Sequence, residues 1–277
     1  MGTCTVNRRM RKIIKTATLG MLAVTFASLG ARNSPANAAD PQKTTGKKFL
    51  MFDNMAYKEK PDTSPDGLVA SNAIYEKQIW PDRRSAGALP EHETFVKLVR
   101  GEAKNPGPLV IEIESLSLRG SAELARHNME ILAKLADWSH EAVPGRVVGF
   151  YGTNTLSDIP AANLPLAKEL AKHVDAFFTA LYTFDDDRTR WEIHALSAHD
   201  EARALDPEKP LYFYLWPQYH VGSARAMRYV GGEFWKFELE TARKYGDGIV
   251  LWGSPTYVWD VKSGWWLVTE EFAKSVK

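Results

Sequence analysis

Cysteine is almost absent from this chain, which has one such residue in 277, Cys4. Cys4 lies in a basic and apolar N-terminal segment that has the pattern of an export signal. A chain with a single cysteine forms no internal disulfide, so we expect its stability to come from a hydrophobic core. The length of 277 residues is sufficient for one sizeable core.

Sequence motifs of several common enzyme classes are missing as well. No G-x-G-x-x-G follows the first predicted strand, which argues against a dinucleotide-binding sheet. No G-x-S-x-G is present to supply the serine of an α/β-hydrolase. There is no H-E-x-x-H and no pair of cysteines for zinc. We therefore predict no cofactor and no bound metal.

Residues 1–39 are predicted to be a signal peptide that is removed. Basic residues open the segment, an apolar run covers residues 17–31, and residues 36–38 (Ala-Asn-Ala) have the small-residue pattern of a cleavage site. The apolar run is too short and too rich in glycine and serine to predict a membrane span. We expect an exported protein, secreted or periplasmic, in which residues 40–277 form one domain.

Removal of this segment would make the protein acidic. Residues 1–39 contain six Lys or Arg and no acid, so 35 minus 6 leaves 29 basic residues against 34 acidic ones, a formal charge of about −5. An acidic protein has no broad basic face for nucleic acid or anionic lipid. We expect neither to be a partner.

The rest of the chain alternates between short apolar strands and longer amphipathic helices. Seven strands are predicted, at residues 48–53, 72–75, 108–115, 146–152, 176–184, 211–216 and 248–252. Helices are predicted at residues 91–104, 121–143, 162–173, 188–205 and 232–245. This alternation is typical of an α/β fold with a parallel sheet. We predict a TIM-like (β/α) barrel of about seven to eight parallel strands.

The strand at residues 108–115 ends in two carboxylates, Glu112 and Glu114. Side chains two apart on a strand point to the same face, so both are predicted to project together where the strand ends. Two nearby carboxylates in a partly dry cleft do not both ionise readily, and one keeps its proton. We hypothesise that Glu114 is the general acid and that Glu112 stays charged. The alternative is that one or both only pair with an arginine or cap a helix.

Aromatic and acidic residues also gather at the other strand ends. Catalytic groups of such barrels lie at the C-terminal ends of the strands. Aromatic faces stack on the C–H faces of sugars, while carboxylates and tyrosine hydroxyls bind sugar hydroxyls. We therefore predict a carbohydrate cleft lined by Asp53, Tyr75, Tyr151, Tyr182, Trp216, Tyr219 and Trp252. The alternative is that these aromatic residues complete the core.

Five segments resemble successive strands of the hyaluronidase family, in that family's order. They are residues 72–81 (NAIYEKQIWP), 108–114 (PLVIEIE), 148–152 (VGFYG), 210–219 (PLYFYLWPQY) and 248–254 (GIVLWGS), and the resemblance spans residues 48–256. It implies a distorted barrel of about seven strands that cleaves N-acetylhexosamine linkages, with the substrate's own acetamido group as nucleophile.

The resemblance also implies roles for individual residues. Glu114 matches the family's proton-donating glutamate, and Glu112 matches the aspartate two residues before it. Tyr182, Trp252 and one of Tyr214 or Tyr219 match residues of the sugar-binding cleft. This chain departs from the family in having Glu-x-Glu for Asp-x-Glu and in lacking its disulfides. Its predicted acidity also argues against a long polyanion such as hyaluronan as the substrate.

Two other function classes stay open at this stage. The Glu-x-Glu departure is compatible with a catalytically silent barrel that only binds a glycan. Residues 185–187 (Asp-Asp-Asp) are compatible with a carboxylate-metal hydrolase, although such a run more often favours a helix N-terminus, here the one starting near Arg188. His220 is interpreted either as a substrate contact or, as is more common for a lone histidine in a loop, as incidental.

Three tryptophans near the C-terminus are interpreted either as a sugar-stacking wall or lid, or as an anchor of the last segment on the barrel. They are Trp259, Trp265 and Trp266.

Overall fold

The computed structural model describes residues 48–82, 87–152, 156 and 158–277. The predicted signal peptide, residues 1–39, lies outside these ranges, so its removal stays a prediction. Of the helices in the described ranges, none combines the length and the apolar character needed to cross a bilayer.

The strands of the described chain are short and buried. They are β1 (Leu50–Met55), β2 (Val69–Ala70), β3 (Asn72–Tyr75), β4 (Leu109–Glu112), β5 (Val148–Phe150), β6 (Phe177–Ala180), β7 (Leu211–Leu215) and β8 (Gly248–Gly253). Every pairing between them is parallel. Strands this apolar are covered on both faces, which is why they carry few alternating polar residues.

The described strands form a five-stranded and a three-stranded sheet, and the two sheets together make the ring-like wall of a barrel. β1 pairs with β2 on one side and with β8 on the other, and β8 continues through β7 to β6. Only Ser71 separates β2 from β3. In the second sheet β3 pairs with β4, and β4 pairs with β5. A parallel bridge between Tyr151 and Phe178 connects β5 to β6. Counting β2 and β3 as one strand, the ring has seven strands, which confirms the predicted (β/α) barrel.

Helices cover the outside of the ring. They are α1 (Glu76–Ile79), α2 (His92–Glu102), α3 (Ala122–Ala142), α4 (Leu164–Lys172), α5 (Arg188–Leu205), α6 (Gly232–Tyr245) and α7 (Gly264–Ser275). Side chains cap several of them as the sequence predicts: Ser121 accepts a hydrogen bond from the backbone N–H of Leu124, and Asp187 accepts one from Arg190. Sequence analysis missed α7, whose buried Trp265 and Trp266 anchor it to the barrel.

The barrel interior has its own apolar cluster, separate from the layer between strands and helices. Its buried members are Phe52, Val110, Ala176, Phe178, Tyr212, Tyr214 and Val250. Side chains alternate along a strand, so the residues two positions after Val110 and Val250 face the same interior. Those residues are Glu112 and Trp252. Strand alternation therefore brings Glu112 to the C-terminal mouth of the barrel.

Gly149 in β5 is predicted to resist replacement. A Cβ atom at this position would lie 2.6 Å from the backbone oxygen of Ala176 and 2.7 Å from the Phe178 ring. Backbone does not move aside, so Gly149→Ala is expected to reduce the free energy of unfolding by about 1–3 kcal/mol. Gly101→Ala is the control, because a Cβ there has nothing within 4 Å and alanine favours the helix. Urea unfolding of both variants checks the prediction, and equal stability of the two would contradict it.

Candidate active site

Glu112 is the centre of a cluster of side chains at the barrel mouth. It is half-buried, it is the last residue of β4, and it pairs in register with Tyr75 of β3. Burial and, to a lesser extent, the nearby charge of Glu114 raise the pKa of Glu112 to about 7, and Lys77 acts in the opposite direction. Glu112 therefore keeps its proton in a substantial fraction of molecules at neutral pH.

Four tyrosines at or just beyond the ends of four different strands lie near Glu112. Burial raises the pKa of Tyr75 and of Tyr214, and the charge of Glu112 raises both further. Burial also raises the pKa of Tyr151 and of Tyr182, and the charge of Glu112 raises both of these further. All four hydroxyls thus stay protonated and can donate hydrogen bonds beside the carboxyl group. The sequence predicts Tyr75, Tyr151 and Tyr182 for the cleft and gives Tyr214 as one of two alternatives, and the structure places all four near Glu112.

Aromatic rings continue this cluster along the mouth. The Tyr182 ring centroid lies 6.4 Å from that of Tyr151 and 6.3 Å from that of Trp252. Trp252 meets Trp216 edge-on at 4.7 Å. Trp216 is buried, whereas Tyr151, Tyr182 and Trp252 are half-buried. The half-buried rings are the ones that have surface left to contact a ligand.

Glu114 lies just beyond the end of β4 and is exposed. The charge of Glu114 raises the pKa of both Glu112 and Tyr151, so the two glutamates lie on the same side of the barrel mouth. The carboxylate of Glu76 accepts hydrogen bonds from the backbone N–H groups of Glu114 and Ser115, at 3.0 and 3.1 Å. Sequence analysis missed Glu76, which directly follows the predicted strand at residues 72–75.

The two glutamates differ in burial, and the sequence suggests Glu114 as the acid of the pair. The strand stops at Glu112, so Glu112 is enclosed by neighbouring strands while Glu114 reaches solvent. Burial is the main cause of a raised carboxyl pKa, and here it acts on Glu112. Burial in the folded protein therefore favours a bound proton on Glu112.

Asp53 does not join the cluster. Its buried carboxylate binds the Lys60 ammonium group and the Thr63 hydroxyl, both at 2.5 Å, and accepts a hydrogen bond from the backbone N–H of Met55. Phe52 faces the barrel interior, so strand alternation turns Asp53 outward and Asn54 inward. The Asn54 amide lies 3.4 Å from the Tyr214 hydroxyl. Asn54 thus takes the place predicted for Asp53. Asp53 instead stabilises the loop after β1.

Tyr219 is also held outside the cluster. Its ring is buried, its hydroxyl donates a hydrogen bond to Asp186, and Arg225 donates to the same hydroxyl at 2.9 Å. It therefore belongs to the loop that follows β7. Of the two tyrosines that the resemblance left open, Tyr214 is the one beside Glu112.

The acidic run at residues 185–187 is occupied by arginines and by the helix that follows it. Asp187 caps α5, as the sequence favoured, and both Asp185 and Asp187 pair with Arg190. Asp186 pairs with Arg225. Among the described residues, no group of three or more His, Asp, Glu or Cys side chains is arranged to hold a metal ion.

His220 belongs to the aromatic part of the cluster. It is buried, and its ring stacks on Tyr182 with a centroid distance of 6.0 Å and an interplanar angle of 17°. Burial lowers its pKa, so the ring is neutral at neutral pH. The signal in the sequence is its position at the end of the aromatic run that follows β7, the same run that supplies Trp216.

Comparison with known proteins identifies relatives by structure only. No protein-family model matches the chain, and no curated protein sequence matches it. The crystal structure of bee venom hyaluronidase is similar, with a TM-score of 0.59 and 11% identity over 82% of this chain and 96% of that one. A glucosidase from Croceicoccus marinus has a TM-score of 0.50 and 10% identity over 82% of this chain and 61% of its own. This chain has a barrel fold shared with glycoside hydrolases.

In barrels of this kind, functional side chains gather at the C-terminal ends of the strands. The cluster around Glu112 lies at that end and combines four kinds of group. They are a carboxyl group with a pKa near neutrality, an exposed carboxylate at Glu114, tyrosine hydroxyls and half-buried aromatic faces. Such a set can donate a proton, stabilise a developing positive charge and hold a sugar ring.

Proposed function

We propose that this protein is a glycoside hydrolase that cleaves a glycan at N-acetylhexosamine linkages, with Glu112 and Glu114 as its two reacting carboxyl groups. The observation that carries the proposal is the raised pKa of Glu112, about 7, at the mouth of the barrel. A general acid is most effective when its pKa lies near the working pH. The likeness to bee venom hyaluronidase and the resemblance in sequence motifs agree with this substrate class.

In the proposed reaction, Glu112 gives its proton to the glycosidic oxygen as the bond to the anomeric carbon breaks. The oxygen of the substrate's acetamido group attacks the anomeric carbon and forms a cyclic, positively charged intermediate. Glu114 stabilises that charge from the solvent side. Water then adds its hydroxyl to the anomeric carbon as the bond to the acetamido oxygen breaks, and the remaining proton of the water goes to Glu112. This step restores the acetamido group and the protonated Glu112.

The remaining side chains of the cluster position the sugar. Tyr151 and Tyr182 keep their protons and offer hydroxyl groups to the acetamido oxygen and the ring hydroxyls. The buried Tyr214 packs edge-on against the Tyr151 ring and supports it. Trp252 presents a half-buried aromatic face on which the reacting sugar can stack. Glu76 fixes the backbone that carries Glu114, so Glu76 is a positioning residue in this mechanism.

The proposal is tested by measuring the release of reducing ends from glycol chitin, hyaluronan and laminarin. Substrate assistance requires a 2-acetamido group, so we expect turnover of one of the first two and none of laminarin, which has no such group. Glu114→Gln keeps the shape of the side chain but removes the charge, and is expected to lower kcat/KM about 100-fold. Full activity of this variant would exclude a role for Glu114.

Binding of a glycan without turnover would instead identify the protein as a silent glycan-binding barrel, the alternative that the Glu-x-Glu departure leaves open. Gel retardation by the same three polymers separates this outcome from a complete failure to bind. Export is part of the proposal too. N-terminal sequencing of the protein recovered outside the cytoplasm is expected to begin at or next to residue 40.

A further inference from the structure

Phe184 is an aromatic residue that the mechanism above does not use. It follows β6 by four positions, in the loop that leads to α5, and 51% of its surface is exposed. Val221, in the loop after β7, is 49% exposed. Single exposed apolar residues need no explanation, but an aromatic ring held rigidly at the rim of a cleft is typical of a binding surface.

The Phe184 ring is held in place from several directions. Ser223 donates a hydrogen bond from its hydroxyl to the backbone oxygen of Phe184 at 2.5 Å. The backbone N–H of His220 donates to the oxygen of Thr183 at 2.8 Å, which fastens the two loops together. The His220 ring lies 4.5 Å from the Phe184 ring, and a side chain at Gly222 would approach that ring to 3.3 Å. The exposed ring is therefore preorganised.

Phe184 is also connected to the proposed site by an unbroken series of rings. His220 lies between Phe184 and Tyr182, with centroid distances of 4.5 Å and 6.0 Å. Tyr182 in turn lies 6.3 Å from Trp252, among the residues around Glu112. The series begins at half-buried rings beside the reacting carboxyl group and ends at an exposed ring in solvent. A chain of sugars that enters the site along it would meet Phe184.

We propose that Phe184, supported by His220, is a second sugar-binding subsite, so that the preferred substrate is an oligosaccharide or a longer glycan rather than a single-sugar glycoside. This inference rests on the proposed function. The size of the surface favours a sugar over a protein partner, because one exposed ring is far smaller than the roughly 800 Å² per partner that a stable protein interface buries. An aromatic face of this size matches the C–H face of one sugar ring.

The test compares Phe184→Ala with Val221→Ala, an equally exposed apolar residue outside the series, and with Phe184→Trp. N-acetylglucosamine oligomers from two to six sugars and an aryl N-acetylglucosaminide are the substrates. Phe184→Ala is expected to lower kcat/KM for the longer oligomers about 5- to 10-fold. The aryl glycoside should change less than about 2-fold. Phe184→Trp should retain the preference for length, and Val221→Ala should behave as the wild type.

Two outcomes separate this inference from the proposed function. If the wild type cleaves the oligomers and Phe184→Ala loses nothing at any length, the subsite is disproved and the hydrolase proposal stands. If the wild type cleaves no substrate, the hydrolase proposal fails, and electrophoresis through a gel containing glycol chitin tests the subsite directly. Retardation of the wild type that is lost in Phe184→Ala supports the subsite. Equal retardation of the wild type and the variant, or no retardation of either, overturns the subsite.

Discussion

Glu112→Gln is expected to lower kcat/KM by about 10²–10⁴-fold, the range that general acid catalysis contributes. Glutamine has the shape of the glutamate side chain but no proton to give to the glycosidic oxygen. The surrounding tyrosines keep their hydroxyls, so glycan binding should persist while turnover is lost. Reducing-end release and gel retardation on the same polymer measure the two effects separately.

The same substitution should not weaken the fold. The pKa of Glu112 is raised in the folded protein, so its contribution to stability is fully present below the ordinary glutamate pKa and is lost as the pH rises towards about 7. Glutamine never ionises, so the variant is expected to be at least as stable as the wild type at pH values above 7. A variant that is inactive because it is unfolded would show the opposite in a thermal melt. If Glu112→Gln is active and Glu114→Gln is not, the proton donor is Glu114, as the family resemblance implies, and the assignment of that role to Glu112 is wrong.

Glu238→Gln is expected to stabilise the protein in alkaline solution. Glu238 lies on α6 and is completely buried. One carboxyl oxygen accepts a hydrogen bond from the Thr183 hydroxyl at 2.5 Å, and the other has no hydrogen-bond partner among the described residues. Burial raises the pKa of Glu238 well above its ordinary value, and the hydrogen bond from Thr183 only partly opposes this. The folded protein therefore holds a proton that the unfolded chain releases.

The direction of the pH effect follows from this difference in bound protons. Where the folded state binds the extra proton, the free energy of unfolding falls as the pH rises, by about 1.4 kcal/mol per pH unit for one group. Glu112 and Glu238 both contribute such a slope above the ordinary glutamate pKa, so the part of the slope that Glu238→Gln removes is assigned to Glu238. Urea unfolding at several pH values from about 5 to 9 is the measurement. The variant should show a shallower decline than the wild type, and identical slopes would contradict the assignment.

The sequence predicts the barrel and part of its site because both depend on short-range patterns. Apolar runs separated by amphipathic helices predict parallel strands, and seven of them form the ring. Strand alternation predicts that Glu112 and Trp252 project at strand ends, and both do. The caps of α3 and α5, at Ser121 and Asp187, follow from the preference of those residues for helix N-termini.

The errors in the sequence analysis have physical causes. Asp53 and Asn54 differ by one position, which on a strand decides between opposite faces, and only the pairing of β1 with β8 fixes which residue faces inward. Glu114 was placed on the strand, but the strand ends at Glu112, so the burial of the two carboxyl groups differs. Glu76 acts through hydrogen bonds with Glu114 and Ser115, which lie 38 and 39 positions away, and no local pattern reveals such contacts.

The pH dependence of kcat/KM for the wild-type protein on its best-cleaved glycan tests the central claim most directly. The claim is that protonated Glu112 at the barrel mouth is the acid that cleaves the glycosidic bond. It predicts that kcat/KM falls as the pH rises through about 7, the pKa of Glu112, and that Glu114→Gln moves this midpoint to lower pH because the Glu114 charge helps to raise that pKa. A profile that stays level through this range, or a midpoint that does not move in Glu114→Gln, would contradict the claim.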